Sequence, residues 1–156
     1  MINVIGIGNS LRGDDAIGPL VIQEIEKMEL SENFHSLNAG ADAFVVLDYL
    51  MGDQPVFIID CARMGKNAGD VVSFDVTEVN IKELNNSISL HGYGFADIYR
   101  MAKELGAVAP CTIIGVEPKY TDFNHDISDE VKASIPKILN MIHLEAIKDA
   151  KKNTDY

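Results

Sequence analysis

Positive charge is scarce in this chain of 156 residues. Thirteen Lys and Arg residues stand against 24 Asp and Glu residues, which gives a formal net charge of −11. An acidic field of this size repels nucleic acid and anionic membrane surfaces, so neither is an expected partner. A cation or a basic protein segment is the better electrostatic partner.

Cysteines and long apolar segments are also few. The two cysteines, Cys61 and Cys111, lie far apart and form no C-x-x-C pattern, so the sequence indicates neither a zinc knot nor a redox pair. No apolar run approaches the roughly 18 residues that span a bilayer, and the N-terminus carries no signal-peptide pattern. We therefore expect a cytoplasmic globular domain in which both thiols stay reduced.

Several common catalytic and nucleotide-binding motifs are missing. The chain has no G-K-[ST] of a P-loop, no G-x-S-x-G nucleophile elbow and no H-E-x-x-H zinc-protease motif. Gly6-x-Gly8 lacks the third glycine of the dinucleotide fingerprint, and Asp14 and Asp15 would repel a pyrophosphate at the start of the following helix. These features disfavour a nucleotide-binding domain.

What the sequence does contain is an alternation of strands and helices. The apolar residues 1–7 predict a central strand, and the spacing of apolar residues over 17–28 predicts an amphipathic helix after it. Further strands are predicted at 34–38, 55–61 and 112–116, and further helices at 42–51, at 93–105 and from Ser128 onward. We expect Pro136 to kink the last helix, and a domain at 1–147 to be followed by a polar, frayed tail at 148–156.

One strand is predicted to run against the others. Only eight residues, 62–69, separate the strand at 55–61 from the β-rich segment at 70–76. A parallel crossover needs a dozen residues or more, so this segment should return as an antiparallel edge strand. The predicted fold is a single α/β domain: a twisted, mostly parallel five-stranded sheet with one antiparallel edge strand and helices on both faces.

Three side chains that bind metals are predicted to meet at one edge of this sheet. Asp15 follows the first strand, Asp60 ends the third, and His91 precedes the third helix. Taken alone, Asp15 could cap a helix, Asp60 could be paired with another group, and His91 could be an ordinary loop histidine. Together, two carboxylates and an imidazole suit a divalent cation. Glu117 and His125 are further candidates at the same edge.

Four short motifs follow one another along the chain. They are Gly6-x-Gly8-Asn9-x-Leu11-x-x-Asp14-Asp15-x-x-Gly18, Ile58-Ile59-Asp60, Ser89-Leu90-His91 and Gly115-Val116-Glu117-Pro118. With these motifs the chain resembles the hydrogenase maturation endopeptidases from about residue 2 to residue 140. The resemblance implies that Asp15, Asp60 and His91 bind nickel and form the catalytic site. It also implies the same five-stranded sheet that the tracing of strands and helices predicts.

The resemblance implies a specific reaction as well. Enzymes of this family remove a short C-terminal peptide from the large-subunit precursor of a [NiFe] hydrogenase after nickel insertion, so that precursor is the implied partner. Because thiolates hold nickel better than two carboxylates and one imidazole do, we expect the nickel to arrive with the precursor. One departure from the family is the loop Asn38-Ala39-Gly40-Ala41-Asp42, where many members carry a Gly-Gly-Thr type sequence. This loop faces the substrate in the implied fold.

The sequence leaves two mechanisms and one rival function open. A divalent ion held by the three predicted ligands could polarise the scissile carbonyl and activate a water. Alternatively, Asp15 or Asp60 could act as a general base, as in an aspartic-type protease. The rival function is a non-catalytic, nickel-binding hydrogenase assembly factor with the same fold.

Overall fold

The computed structural model describes residues 1–28, 34–78 and 95–154. Within these ranges the chain alternates between strands and helices, with short 3-10 turns at Gly13–Ala16 and Val76–Glu78. In chain order the elements are β1 (Ile2–Ile7), α1 (Ile17–Lys27), β2 (Phe34–Gly40), α2 (Val45–Leu50), β3 (Val56–Cys61), β4 (Val71–Asp75), α3 (Phe95–Leu105), β5 (Cys111–Val116), α4 (Asp129–Lys132) and α5 (Ile135–Thr154). No helix of the described ranges is long and apolar enough to cross a membrane.

The five strands form one sheet in the order β2-β1-β3-β5-β4. Four of them are parallel, and β4 pairs antiparallel with β5 at the edge. The predicted fold class is therefore confirmed, including the antiparallel edge strand. Because β1, β3 and β5 are parallel neighbours, all three end at the same edge of the sheet, which we call the carboxyl edge.

Both faces of the sheet are covered, as the continuous apolar strands predict. Alternate side chains of the central strands point to opposite faces, so that Ile58 packs with α2 and α3, whereas its neighbour Ile59 packs with α1 and α5. Both side chains are fully buried. The sheet is thus a rigid middle layer, and its carboxyl edge is a stable platform for the loops that carry the predicted site.

Two glycines of the first motif allow α1 to lie directly on the sheet. A Cβ atom on Gly18 would stand 2.3 Å from the carbonyl oxygen of Ile7 and 2.7 Å from that of Ile59, and one on Gly6 would stand 2.4 Å from the carbonyl oxygen of Gly18. No larger residue fits at either position without displacing backbone. The glycines therefore serve the contact between helix and sheet, which explains the motif without a bound phosphate.

The end of the chain differs from the prediction in two ways. Ser128 caps α4 as expected, but α4 stops at Lys132 and a separate helix, α5, begins at Ile135. Pro136 therefore does not kink a helix; it lies in the first turn of α5, where its missing N–H breaks no helical hydrogen bond. The predicted polar tail is helical as far as Thr154, because α5 continues to that residue; its fraying stays a prediction.

Two ion pairs lie near the end of α5. The N-terminal ammonium group of Met1 lies 2.6 Å from Oδ2 of Asp149, and Lys148 pairs with Glu145 one turn earlier at 2.7 Å. The first residue therefore contacts the last helix. This contact joins residues 148 positions apart, which a local reading of the polar segment could not anticipate.

Candidate active site at the carboxyl edge

Asp60 is the penultimate residue of β3 and lies opposite Gly115 of β5. Its side chain is fully buried. Oδ1 accepts a hydrogen bond of 2.8 Å from the N–H of Cys61, whereas Oδ2 accepts none from any residue that the structure describes. Burial, followed by the negative charge of Asp15, raises the pKa of Asp60 well above its ordinary value. The carboxyl group of Asp60 is thus shielded from water, and its Oδ2 atom is able to bind a ligand.

Asp15 lies in the 3-10 turn that links β1 to α1 and is 6% exposed. Oδ2 accepts a 2.9 Å hydrogen bond from the N–H of Asn9, so the loop after β1 folds back over this side chain. That fold requires Gly8, which has a φ of 143° and passes so close to Asp15 that a Cβ atom would stand 1.9 Å from its carbonyl oxygen. Since the charge of Asp15 acts on Asp60, the structure brings these two predicted site residues together.

The third predicted ligand, His91, lies outside the described residues. Its place beside Asp15 and Asp60 therefore stays a prediction. Among the described residues there is no group of three or more His, Cys, Asp and Glu side chains that could hold a metal ion. The described part of the site supplies two carboxylates, and a complete metal site needs a further ligand such as His91 or a ligand brought by the substrate.

The neighbouring acid, Asp14, has a role that the sequence did not reveal. Its side chain is fully buried and accepts four hydrogen bonds. Oδ2 accepts from the N–H groups of Lys119 (2.7 Å) and Tyr120 (3.2 Å) and from Oγ of Ser128 (2.9 Å), while Oδ1 accepts from the N–H of Ser128 (2.6 Å). One carboxylate therefore holds both ends of the loop 119–128.

Main-chain hydrogen bonds fasten the same loop to the turn that carries Asp15. The N–H of Gly13 donates to the carbonyl of His125 (3.1 Å), and the N–H of Asp14 donates to that of Tyr120 (3.0 Å). These bonds and the carboxylate of Asp14 fix the loop after β5 against the loop after β1. Asp14 is thus a positioning residue, because it holds the backbone on which Asp15 stands without reaching the reacting groups itself.

Glu117 and His125, the two further candidates, make structural contacts. Glu117 is 7% exposed, and its Oε2 accepts a hydrogen bond of 2.5 Å from the N–H of Met64, which ties the loop after β3 to the end of β5. His125 is exposed, and its ring contacts that of Tyr120 in a tilted arrangement, with 4.7 Å between ring centroids and 41° between the ring planes. Neither of these two contacts involves Asp15 or Asp60.

The cysteines are buried and free, as predicted. Burial raises the pKa of the Cys61 thiol, and the negative charges of Asp60, Asp15 and Asp14 raise it further, although Arg63 opposes them. A thiol in this environment stays protonated and is a poor nucleophile. This environment disfavours Cys61 as the nucleophile of a cysteine protease, although it directly follows Asp60.

Comparison with known proteins agrees with this architecture. A sequence model described as hydrogenase maturation protease matches residues 19–145. A protein of Methanocaldococcus jannaschii, named as a candidate hydrogenase maturation protease, is 34% identical over 95% of this chain and 89% of its own length.

Solved structures show the same likeness. The hydrogenase maturating endopeptidase HybD from Escherichia coli superposes with a TM-score of 0.80 at 27% identity, covering 96% of this chain and 93% of that one. The [NiFe] hydrogenase maturation protease HycI from Thermococcus kodakarensis gives a TM-score of 0.71 at 25% identity, over 94% and 92% of the two chains. The family match spans most of the sequence, and the chain therefore belongs to the hydrogenase maturation protease family.

Proposed function

We propose that this protein is the endopeptidase that removes the C-terminal peptide from the nickel-loaded precursor of a [NiFe] hydrogenase large subunit. Membership of the maturation protease family supports the proposal. The observation that carries it is Oδ2 of Asp60, a fully buried carboxylate oxygen with no donor among the described residues. A buried polar atom without a hydrogen-bond partner lowers the stability of the fold, and a ligand that binds to this atom would explain its presence.

The side chains of the site suit nickel as a ligand. Carboxylate oxygens and an imidazole nitrogen are both donors that divalent nickel accepts, and Asp15, Asp60 and His91 would hold it. This donor set lacks the thiolates that bind such ions more strongly, so nickel is part of the substrate in our proposal. When bound, a divalent ion supplies polarisation of the scissile carbonyl and a lower pKa for the attacking water.

The protein itself contributes rigid, water-poor positions for these groups. Asn9 fixes the carboxylate of Asp15 through a main-chain hydrogen bond, and the end of β3 fixes Asp60. Two immobile ligands would draw the precursor into one orientation and so bring its scissile bond into place. In the alternative route, Asp15 or Asp60 takes the proton of the attacking water as a general base. The cytoplasm is the proposed compartment, where two buried free thiols remain reduced.

The decisive experiment compares two forms of one substrate. The purified protein is incubated with the large-subunit precursor in its nickel-loaded form and in its nickel-free form, and intact-mass spectrometry detects the released C-terminal peptide. We expect release from the nickel-loaded precursor alone, and no rescue when nickel is first added to the protease. Efficient cleavage of a precursor proven to be nickel-free would refute the role of nickel.

Binding measured on the same samples separates the rival function from the proposed one. A wild-type protein that binds the nickel-loaded precursor but releases no peptide would be an assembly factor rather than a protease. The matched control is Asp126→Asn, which removes an exposed acid from the loop after β5 and leaves Asp15 and Asp60 unchanged. This variant should release the peptide at the wild-type rate.

A further inference from the structure

Two of the three arginines in the chain meet at one residue of the carboxyl edge. Arg12 follows β1, Arg63 follows β3, and Thr121 follows β5. Nε of Arg12 donates a hydrogen bond of 3.2 Å to the carbonyl oxygen of Thr121, and an Nη atom of Arg63 donates one of 3.2 Å to its Oγ1. Thr121 therefore accepts a hydrogen bond from each of two guanidinium groups, at the point where three loops of the site join.

These two arginines have no acidic partner among the described residues. The third arginine, Arg100, pairs with Asp97 at 2.5 Å on the surface of α3, whereas no described carboxylate lies within ion-pair distance of Arg12 or Arg63. Acidic residues greatly outnumber basic ones in this chain, so a shortage of carboxylates does not explain why these two arginines lack an acidic partner among the described residues. A guanidinium has five N–H donors, and each of these two groups uses one of them on Thr121.

The surroundings of the pair are typical of a surface that binds another polypeptide. Phe123 is 59% exposed, and the guanidinium of Arg12 lies 5.0 Å from the centre of its ring. Leu11, the residue before Arg12, is 71% exposed. Exposed aromatic and arginine side chains are enriched where proteins bind one another. The patch also borders the candidate active site, since Arg12 and Arg63 each lie three positions along the chain from one of its two acids.

We propose that Arg12 and Arg63 together bind a carboxylate of the polypeptide substrate. Paired guanidinium groups match a carboxylate in charge and in hydrogen-bonding geometry, and they bind it more specifically than lysines would. The inference rests on the proposed function, because the carboxylate belongs to the C-terminal region of the precursor, as an Asp or Glu side chain or as the terminal carboxylate. The rest of the acidic surface repels such a group, so the pair also fixes where on the protein it binds.

The first test needs no cleavage. Arginine Nε–H signals are recorded by NMR for the full chain, which contains only three arginines, while short N-acetylated peptides are added. One peptide carries a glutamate and an amidated C-terminus, the second carries glutamine in its place, and the third is the glutamine peptide with a free C-terminus. We expect the signals of Arg12 and Arg63 to shift with a carboxylate peptide, while Arg100 stays unchanged.

The three peptides also distinguish the source of the carboxylate. A shift with the glutamate peptide indicates a side chain, and a shift with the free C-terminus indicates the terminal group. Equal shifts with the neutral glutamine peptide, or equal shifts of Arg100, would overturn the proposal.

The second test uses the nickel-loaded precursor as substrate. The double variant Arg12→Gln/Arg63→Gln should raise KM at least about tenfold and leave kcat within about twofold, because the lost contact binds substrate without touching the reacting bond. Arg100→Gln removes the same charge from the surface of α3, where Arg100 pairs with Asp97, and should change neither constant. Neutralising the acids at the C-terminus of the precursor, or amidating it, should remove the difference between wild type and the double variant.

The two tests fail for different reasons. An unchanged KM in the double variant, or an equal penalty for acidic and neutralised precursors, would overturn the carboxylate site even if cleavage proceeds. Specific NMR shifts without any cleavage of the precursor by the wild type would support the carboxylate site and refute the proposed function.

Discussion

Asp14 and Asp60 are two fully buried carboxyl groups at the same edge of the sheet, and they differ in how their oxygens are used. Asp14 accepts four hydrogen bonds from the loop 119–128. Asp60 accepts one, from Cys61, and its second oxygen has no donor among the described residues. A buried acid with every oxygen satisfied is part of the framework, whereas one with a spare oxygen is suited to a ligand.

The energetics of the two acids follow from this difference. Hydrogen bonds to a charged group contribute roughly 1.5–3 kcal/mol each, so the donors around Asp14 compensate for taking its charge out of water. Asp60 has little such compensation, and burial together with the charge of Asp15 raises its pKa. We infer that Asp14 stabilises the fold and that Asp60 lowers stability in return for function.

The largest expected effect is on activity. Asp15→Ala, Asp60→Ala and His91→Ala should each lower the rate of precursor processing by at least about 10²-fold, because each removes a ligand or a general base from the reaction. Mass spectrometry of the released peptide measures this rate, and circular dichroism checks that the fold is intact. Wild-type processing by any one of the three variants would show that its residue does not belong to the site.

The next largest effect is on stability. Asp14→Asn should lower the free energy of unfolding by about 2–4 kcal/mol, since the amide nitrogen cannot accept hydrogen bonds and leaves buried N–H groups unpaired. Urea unfolding measures the loss. Asp126→Asn is the matched control on the exposed side of the same loop and should change stability by less than about 0.5 kcal/mol. A small loss in Asp14→Asn would mean that water or the loop itself can replace the carboxylate.

The sequence predicts the framework of this molecule well, because the signals are local and strong. The three central strands are short and mostly apolar, and the eight-residue connection at 62–69 forces the next strand to run antiparallel. The approach of Asp15 to Asp60 follows from the same argument, since Asp15 lies in the connection after one parallel strand and Asp60 lies at the end of its neighbour. Their pairing with His91 stays a prediction.

The features that the sequence does not predict depend on distant partners. The four donors to Asp14 come from residues 105 to 114 positions later, so nothing beside Asp14 distinguishes it from Asp15. Arg12 and Arg63 likewise meet only through Thr121. The break before α5 is a different case: Ser134 followed by Pro136 is a local signal of a helix start, although Pro136 is predicted to kink a helix instead.

A smaller effect is expected where the loop ends on Asp14. Ser128→Ala should lower the free energy of unfolding by about 1–2 kcal/mol, because Oγ of Ser128 both donates to Asp14 and accepts from the N–H of Val131 at the start of α4. Combining it with Asp14→Asn tests whether the two act together: the double variant should lose less than the sum of the single losses. Strict additivity in urea unfolding would show that the cap works independently of Asp14.

The smallest expected effect has the opposite sign. Asp60→Asn should raise the free energy of unfolding at neutral pH by about 0.5–2 kcal/mol, since a neutral amide beside Asp15 is neither repelled by it nor as costly to bury. The raised pKa makes the stability difference between variant and wild type depend on pH. As pH rises past the ordinary carboxyl range, Asp60 ionises in the unfolded wild-type chain before it ionises in the folded one. The free energy of unfolding of the wild type therefore falls until the pH reaches the pKa of Asp60 in the folded state. The variant lacks this titration, so its advantage should be small near about pH 4 and should widen toward neutral pH.

Urea unfolding of both proteins across this range measures the difference. An advantage that shrinks with rising pH would mean that the fold stabilises the ionised form of Asp60, and the contrast with Asp14 would then be lost.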